Sequence, residues 1–467
     1  MHARGWPAAK TFFEKGFREK GEHSPRTALR LLAWDYWDER LTDATADYWP
    51  AACRQMKTLL ADERELDTPE NRRLLKSLEA ALLLHGNAKP GSVEALVDDL
   101  INVRDTPYSD ERFVRVLDLG FEAVPALLER LDDDRLTRYR KPAWNVNISF
   151  MPAYHYRLCD MASDLLRLFA GEDAARHWPI DRNDRAAQKL LIKDWWDEAR
   201  RQGEEAYLLA HVIPSTCTDE SPEEGWPDQF HARLLGKKYP RRLASLYRGV
   251  LENHPRMQSW PLADAVADSS LSRKEKVELL VLATGNKSLE HRRPAFWLLK
   301  DLDAERFVSL LAATLDDLPR TPTAPYDNCC ESNFATLACN TDDPRVWRAL
   351  GRAARRADPG LRMEMLRNTN YPTPTATQRR RRLAFLASFL EDDAVRDATA
   401  NQKMFNGIYA GFRFPRLEIR NFAALRISEI LETPADPTPE WKAEQWAKLR
   451  DQMRAALKRE PAEDAKE

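Results

Sequence analysis

The chain has 467 residues, 43% of them hydrophobic and 31% charged. That is enough apolar material for a folded protein and too much length for one growing core, so global disorder is excluded and several domains or an elongated repeat array are expected. Lys and Arg number 72 against 74 Asp and Glu, so the whole-molecule charge gives no reason to expect a polyanion as the main partner.

No segment approaches the roughly 18 to 20 consecutive apolar residues that cross a bilayer, and the first 20 residues lack the apolar core of a signal peptide. A soluble, cytoplasmic chain without membrane contact is expected, although the opening Met1 to Pro7 would also suit a mature start after removal of a leader. The cysteines at 53, 159, 217, 329, 330 and 339 form neither a disulfide framework nor a C-x-x-C pair, so reduced and mostly buried thiols are expected. Only 16 residues are glycine, which argues against glycine-rich phosphate loops and tight hairpins.

In chain order, residues 1–24 read as an N-terminal arm and 25–213 as an N-terminal helical half. Prolines directly after a capping residue mark helix starts at Ser24-Pro25, Thr68-Pro69, Asp343-Pro344, Asp358-Pro359 and Thr438-Pro439, because proline loses nothing in a first turn whose amides lack helical partners. Apolar spacing of i, i+3, i+4, i+7 agrees: Leu29 to Leu41, then Leu158 to Phe169 before a terminating Gly171, each give a one-faced helix. Residues 214–240 read as a loop-rich connection and 241–458 as a C-terminal helical half, where Phe307 to Leu318 follow a capping Asp303 and Trp446 to Leu457 repeat the pattern. Residues 459–467 form a charged tail. No run of alternating strands is expected. Aspartate pairs at 98–99, 132–134, 316–317, 342–343 and 392–393 read as turn and capping residues rather than metal ligands, since none sits in a glycine-containing calcium loop.

Gly120-Phe-Glu-Ala-Val-Pro-Ala-Leu-Leu128, with Leu131 and Asp132, resembles the first helix of a HEAT repeat. Leu158 to Phe169 offers its partner, Leu417 to Leu431 resembles the family's second helix, and residues 136–152 interrupt the short turn expected between partners. The resemblance implies an all-α, irregular α-solenoid of stacked antiparallel helix pairs. It also implies protein interaction or scaffolding along a concave face.

Candidate sites are few. The polar loop Tyr326-Asp-Asn-Cys-Cys-Glu331 holds Cys329 and Cys330, and an enzyme in a groove would use this loop with Arg362, Glu364 and Arg413 as wall residues. Trp144 and Trp226 lie in loop-like segments, where exposure would make them binding anchors. His155 and Cys159, four apart, supply too few ligands for a metal. No catalytic residue, cofactor or metal is assigned. Arginine runs at 379–382 and at 352, 355 and 356 would track phosphates if they shared one surface, and otherwise read as solvated faces. A protein or peptide partner is therefore favoured over nucleic acid.

Overall fold

The computed structural model describes residues 48–62, 67–83, 88–104, 107–141, 154–179, 185–214, 226–254, 257–322, 330–370, 375–397, 408–409, 412–433 and 435–459. Within them the chain is mostly helical, with a few short strands, and none of its helices is long and apolar enough to cross a membrane. It divides into two compact units, Met1–Ser215 with Phe230–Lys237, and Thr216–Gln229 with Lys238–Glu467.

In the first unit, α1 (Tyr48–Asp62) packs on α2 (Pro69–Leu83) through Cys53, Met56, Leu74 and Leu78. The Thr68 hydroxyl caps α2 by accepting from Asn71 N at 3.2 Å, as the Thr-Pro pair predicts. Three short helices follow, α3 (Val93–Asp98), α4 (Glu111–Leu119) and α5 (Val124–Glu129). The segment that resembles a first HEAT helix is a 3-10 turn over Gly120–Ala123 leading into α5, and α5 does pack on α6 (Leu158–Ala175).

Between them lies a departure from expectation. Strand β1 (Leu136–Lys141) pairs antiparallel with β2 (Tyr154–Arg157), where the sequence suggested only an irregular insertion. Thr137 donates to the Tyr156 carbonyl at 2.9 Å, and the Tyr139 and Tyr156 rings meet edge to face at 5.3 Å, so cross-strand contacts rather than alternation hold the ladder. His155 is consequently on a strand and Cys159 on α6.

Helix α6 breaks at Gly171 (φ 77°, ψ 168°) and adds one more turn to Ala175. Helix α7 (Arg185–Gln202) and α8 (Glu204–His211) follow, and α9 (Gln229–Lys238) occupies part of the 214–240 segment read as loop. Its His231 is fully buried and reaches the Phe169 carbonyl through Nε2 at 2.9 Å, which ties most of α9 to the first unit. Trp195 Nε1 donates to the Tyr207 hydroxyl, which donates in turn to the Ala170 carbonyl.

Asp160, in the first turn of α6, accepts from Arg157 N at 2.8 Å and lies 3.5 Å from Arg185. Burial nevertheless dominates and pushes its carboxyl up to about 6. A folded-state value above the free-residue value means the folded protein binds the proton more tightly, so this stabilisation is complete below about pH 4 and is lost as pH rises through about 6. Asp160→Asn keeps a capping oxygen without the buried charge. Urea denaturation should show it stabilised by about 2 kcal/mol at pH 8 and little changed at pH 4; a gain that does not depend on pH would contradict the assignment.

The second unit carries α10 (Pro240–Asn253), α11 (Trp260–Asp268), α12 (Arg273–Thr284), α13 (Leu289–Leu302), α14 (Ala304–Asp317), α15 (Cys330–Ala338), α16 (Pro344–Arg356), α17 (Pro359–Arg367), α18 (Ala376–Ala387), α19 (Ile419–Ile430) and α20 (Ala443–Leu457). Their packing follows two rows. Helices α11, α13, α15, α17 and α19 each touch the next member of their row; in the other row α10 touches α12, and α14, α16 and α18 touch in turn. Contacts such as α12 on α13, α13 on α14, α16 on α17 and α18 on α19 join the rows. Aspartates 303, 343 and 358 cap α14, α16 and α17 by accepting backbone N–H bonds, the role expected of them.

Two boundaries differ from the sequence reading. Thr438-Pro439 begins a turn, closed by Trp441 N on the Thr438 carbonyl, and α20 starts only at Ala443. The helix expected from Leu417 starts at Ile419, because β6 (Arg416–Glu418) pairs with β3 (Val395–Asp397) immediately before it. A third ladder joins β4 (Ile408–Tyr409) to β5 (Phe412–Arg413).

Candidate anion-binding groove

Helix α16 has the sequence Pro-Arg-Val-Trp-Arg-Ala-Leu-Gly-Arg-Ala-Ala-Arg-Arg, and α18 reads Ala-Thr-Gln-Arg-Arg-Arg-Arg-Leu-Ala-Phe-Leu-Ala. The first holds five arginines and the second four, with no lysine or acidic residue in either. Val346, Ala349, Leu350 and Ala353 bury one side of α16. Arg348, Arg352 and Arg355, at i, i+4 and i+7, therefore line the other.

This arginine stripe faces α18 across a groove of about 860 Å³. Arg380 and Arg381 line it from the α18 side, and Leu457 of α20 contributes to the wall. Its apolar surface comes from Trp347, Leu383 and Phe385, whose packing is fixed by edge contacts of Phe385 with Trp347 at 6.1 Å and with Phe389 at 5.2 Å. No acidic residue lines it.

The five guanidinium groups are differently held. Arg352 makes a two-point ion pair with Asp316 at 2.7 and 2.9 Å, which lowers the Asp316 carboxyl and raises the Arg352 guanidinium. Arg355 lies 5.7 Å from the Phe389 ring centroid and donates to Ser388 Oγ at 3.3 Å, a cation–π arrangement that fixes its direction. Gly351 leaves room beside it, since a Cβ there would come 3.4 Å from Arg355 Nη2. Arg348 is exposed and has no ion-pair partner among the described residues. The Nε atoms of Arg380 and Arg381 are buried without a hydrogen-bond acceptor.

Such crowding opposes folding. Like charges at i, i+4 cost an isolated helix roughly 0.2 to 0.5 kcal/mol per pair, and buried donors without acceptors cost more. An anion in the groove would relieve the charge crowding.

The remaining arginines of the two runs have other duties. Arg356 donates to the carbonyls of Leu315 and Asp316, Arg379 reaches the Ile430 carbonyl at 3.5 Å, and Arg382 is almost completely buried with Nη2 on the Cys339 carbonyl. The 379–382 run is thus not a solvated face.

The chain matches no family model, no curated protein and no solved structure. The site therefore rests on geometry alone.

Of the arginine runs singled out from the sequence, Arg352, Arg355, Arg380 and Arg381 line this groove, whereas none of the described residues expected as a polar-loop, wall or anchor residue does. Glu331 is fully buried in the first turn of α15 and Glu364 is buried on α17, 2.7 Å from Arg367. Arg362 donates to the carbonyls of Ala354, Arg355 and Ala357 and pairs with Asp392 at 2.5 Å, a clamp between α16, α17 and the turn after α18. Trp226 is 54% exposed. Tyr326, Cys329 and Trp144 lie outside the described residues, as do the side chains of Cys330 and Arg413. Among the described residues, no group of three or more His, Cys, Asp or Glu could hold a metal ion. Arg348 was missed by sequence reasoning because it stands apart from both runs; its spacing from Arg352 and Arg355 on a helix without acidic residues was the available signal.

Proposed function

We propose that the chain is an interaction protein built on a HEAT-like helical stack, and that its second unit holds an acidic segment of a partner protein in the groove between α16 and α18. The observation that carries this reading is the convergence of Arg348, Arg352, Arg355, Arg380 and Arg381 on one groove without a lining carboxylate. The two-row helix packing supports the stack, because most of these helices pack against successive neighbours, as helices in repeat arrays do.

Partner chemistry follows from the same residues. The apolar surface of Trp347, Leu383 and Phe385 suits an apolar side chain carried beside the charges. The net charge of −2 gives no long-range attraction for nucleic acid.

The test is an array of acidic peptides probed with the full chain and with an Arg348→Ala/Arg381→Ala variant. Selected acidic peptides should bind the full chain, weaken steeply as salt rises, and lose about tenfold in affinity in the variant. Equal retention by both proteins, or no retained peptide, would overturn the reading; preferential binding of duplex DNA would replace it with nucleic-acid recognition.

A further inference from the structure

We infer that the group held in the groove is a phosphorylated serine or threonine of the partner segment. This rests on the groove reading above and narrows it from acidic in general to a phosphate dianion.

Charge density is the first reason. Among the described residues, Arg352 is the one of the five lining arginines in an ion pair, with Asp316, which leaves four guanidinium groups outside ion pairs around about 860 Å³. Offsetting them with carboxylates would need several Asp or Glu side chains, each on its own residue, directed into one small volume. A phosphate brings nearly two charges and three acceptor oxygens on a single side chain.

The second reason is the choice of cation. Residues 301–402 contain 14 arginines and no lysine, although lysine makes up 20 of the 72 basic residues of the chain. Arginine presents a rigid fork of donors that meets two oxygens of a phosphate at once, whereas lysine acts as a point charge. Arg380 and Arg381 line the groove from the α18 side, and Arg355 is already aimed by the Phe389 ring and Ser388.

The third reason separates a compact dianion from an extended one. Carboxylates flank the groove: Asp316 pairs with Arg352, and Asp343, which caps α16, is close enough to Arg381 for that charge to help hold its carboxyl low. A nucleic-acid backbone running past these two carboxylates would be repelled by them. A single phosphate between the two helices brings one compact charge, not a row of them.

Three matched probes decide the matter: a degenerate peptide library with one fixed phosphoserine, the same library with glutamate at that position, and a duplex DNA oligomer, each titrated into the full chain by fluorescence anisotropy. The phosphoserine library should bind at least tenfold more tightly than the glutamate library. An Arg348→Lys/Arg381→Lys variant, which keeps the charge and removes two forks, should weaken the phosphoserine library more than the glutamate library and reduce that preference to about twofold; native circular dichroism of the variant confirms that it folds. Equal binding of phosphoserine and glutamate libraries would overturn the phosphate inference and leave the acidic-segment reading standing. Binding of neither library would overturn both, and tighter binding of DNA than of either library would overturn both in favour of nucleic acid.

Discussion

Replacing Gly171 by alanine should destabilise the first unit by about 4 kcal/mol, which makes it one of the two most damaging single changes expected in this chain. Two independent costs meet at this position. At φ 77° and ψ 168° the backbone occupies a region open essentially to glycine alone, and a side chain there costs of order 1 to 3 kcal/mol. A Cβ would also stand 2.6 Å from His231 Cε1 and 3.4 Å from both ring nitrogens. His231 has no room to retreat, being fully buried, bonded to the Phe169 carbonyl and packed edge-on against Tyr207 at 6.0 Å. The two costs separate in a double mutant. His231→Ala removes the clash and leaves the strain, so adding Gly171→Ala to a His231→Ala background should cost about 2 kcal/mol in urea denaturation. Full additivity of the two substitutions would show that the ring does not enforce the close approach.

Much of this architecture is legible in the residues. Gly171 marks the break in α6, and Asp303, Asp343 and Asp358 mark helix starts, because capping and left-handed backbone are local properties that a few neighbouring residues decide. What failed to show depended on distant partners. The β1–β2 ladder is held by Thr137 on Tyr156, 19 residues away, and neither strand alternates clearly enough to announce itself. Thr438-Pro439 has the right chemistry for a helix start, yet the chain makes a turn there and delays α20 to Ala443.

The candidate site divides in the same way. Both arginine runs were visible, but only packing shows that Arg352 and Arg355 share a groove with Arg380 and Arg381, while Arg382, one residue further on, is buried with Nη2 on the Cys339 carbonyl. A helix turns by about 100° per residue, so a run of four arginines necessarily spreads over most of its circumference. Conversely, Glu331 read as the end of a polar loop and Glu364 as a groove wall, and both are interior residues of the row formed by α15 and α17. A polar residue in a polar-looking loop or helix start does not report which side of that helix its neighbours will cover.

Phe296→Ala should cost the second unit about 4 kcal/mol, and its distribution bears on the stacked-row proposal. Phe296 is fully buried on α13 and meets Phe307 of α14 edge to face at 6.2 Å and Phe334 of α15 at 5.9 Å. It thus joins one row to the other and also one member of its own row to the next. Truncation loses the transfer energy of the ring and both edge contacts, and it leaves a cavity bounded by three helices that cannot all close on it. In a stack where each helix pair is stabilised mainly by its neighbours, the loss should be local: amide exchange should accelerate most in α13, α14 and α15, while α20, anchored by Trp446, Leu449 and Met453, keeps most of its protection. Uniform loss of protection from α10 through α20 would instead mean that the second unit opens as one cooperative body, and the helical-stack proposal would then fail on energetic grounds even though the helices pack in two rows.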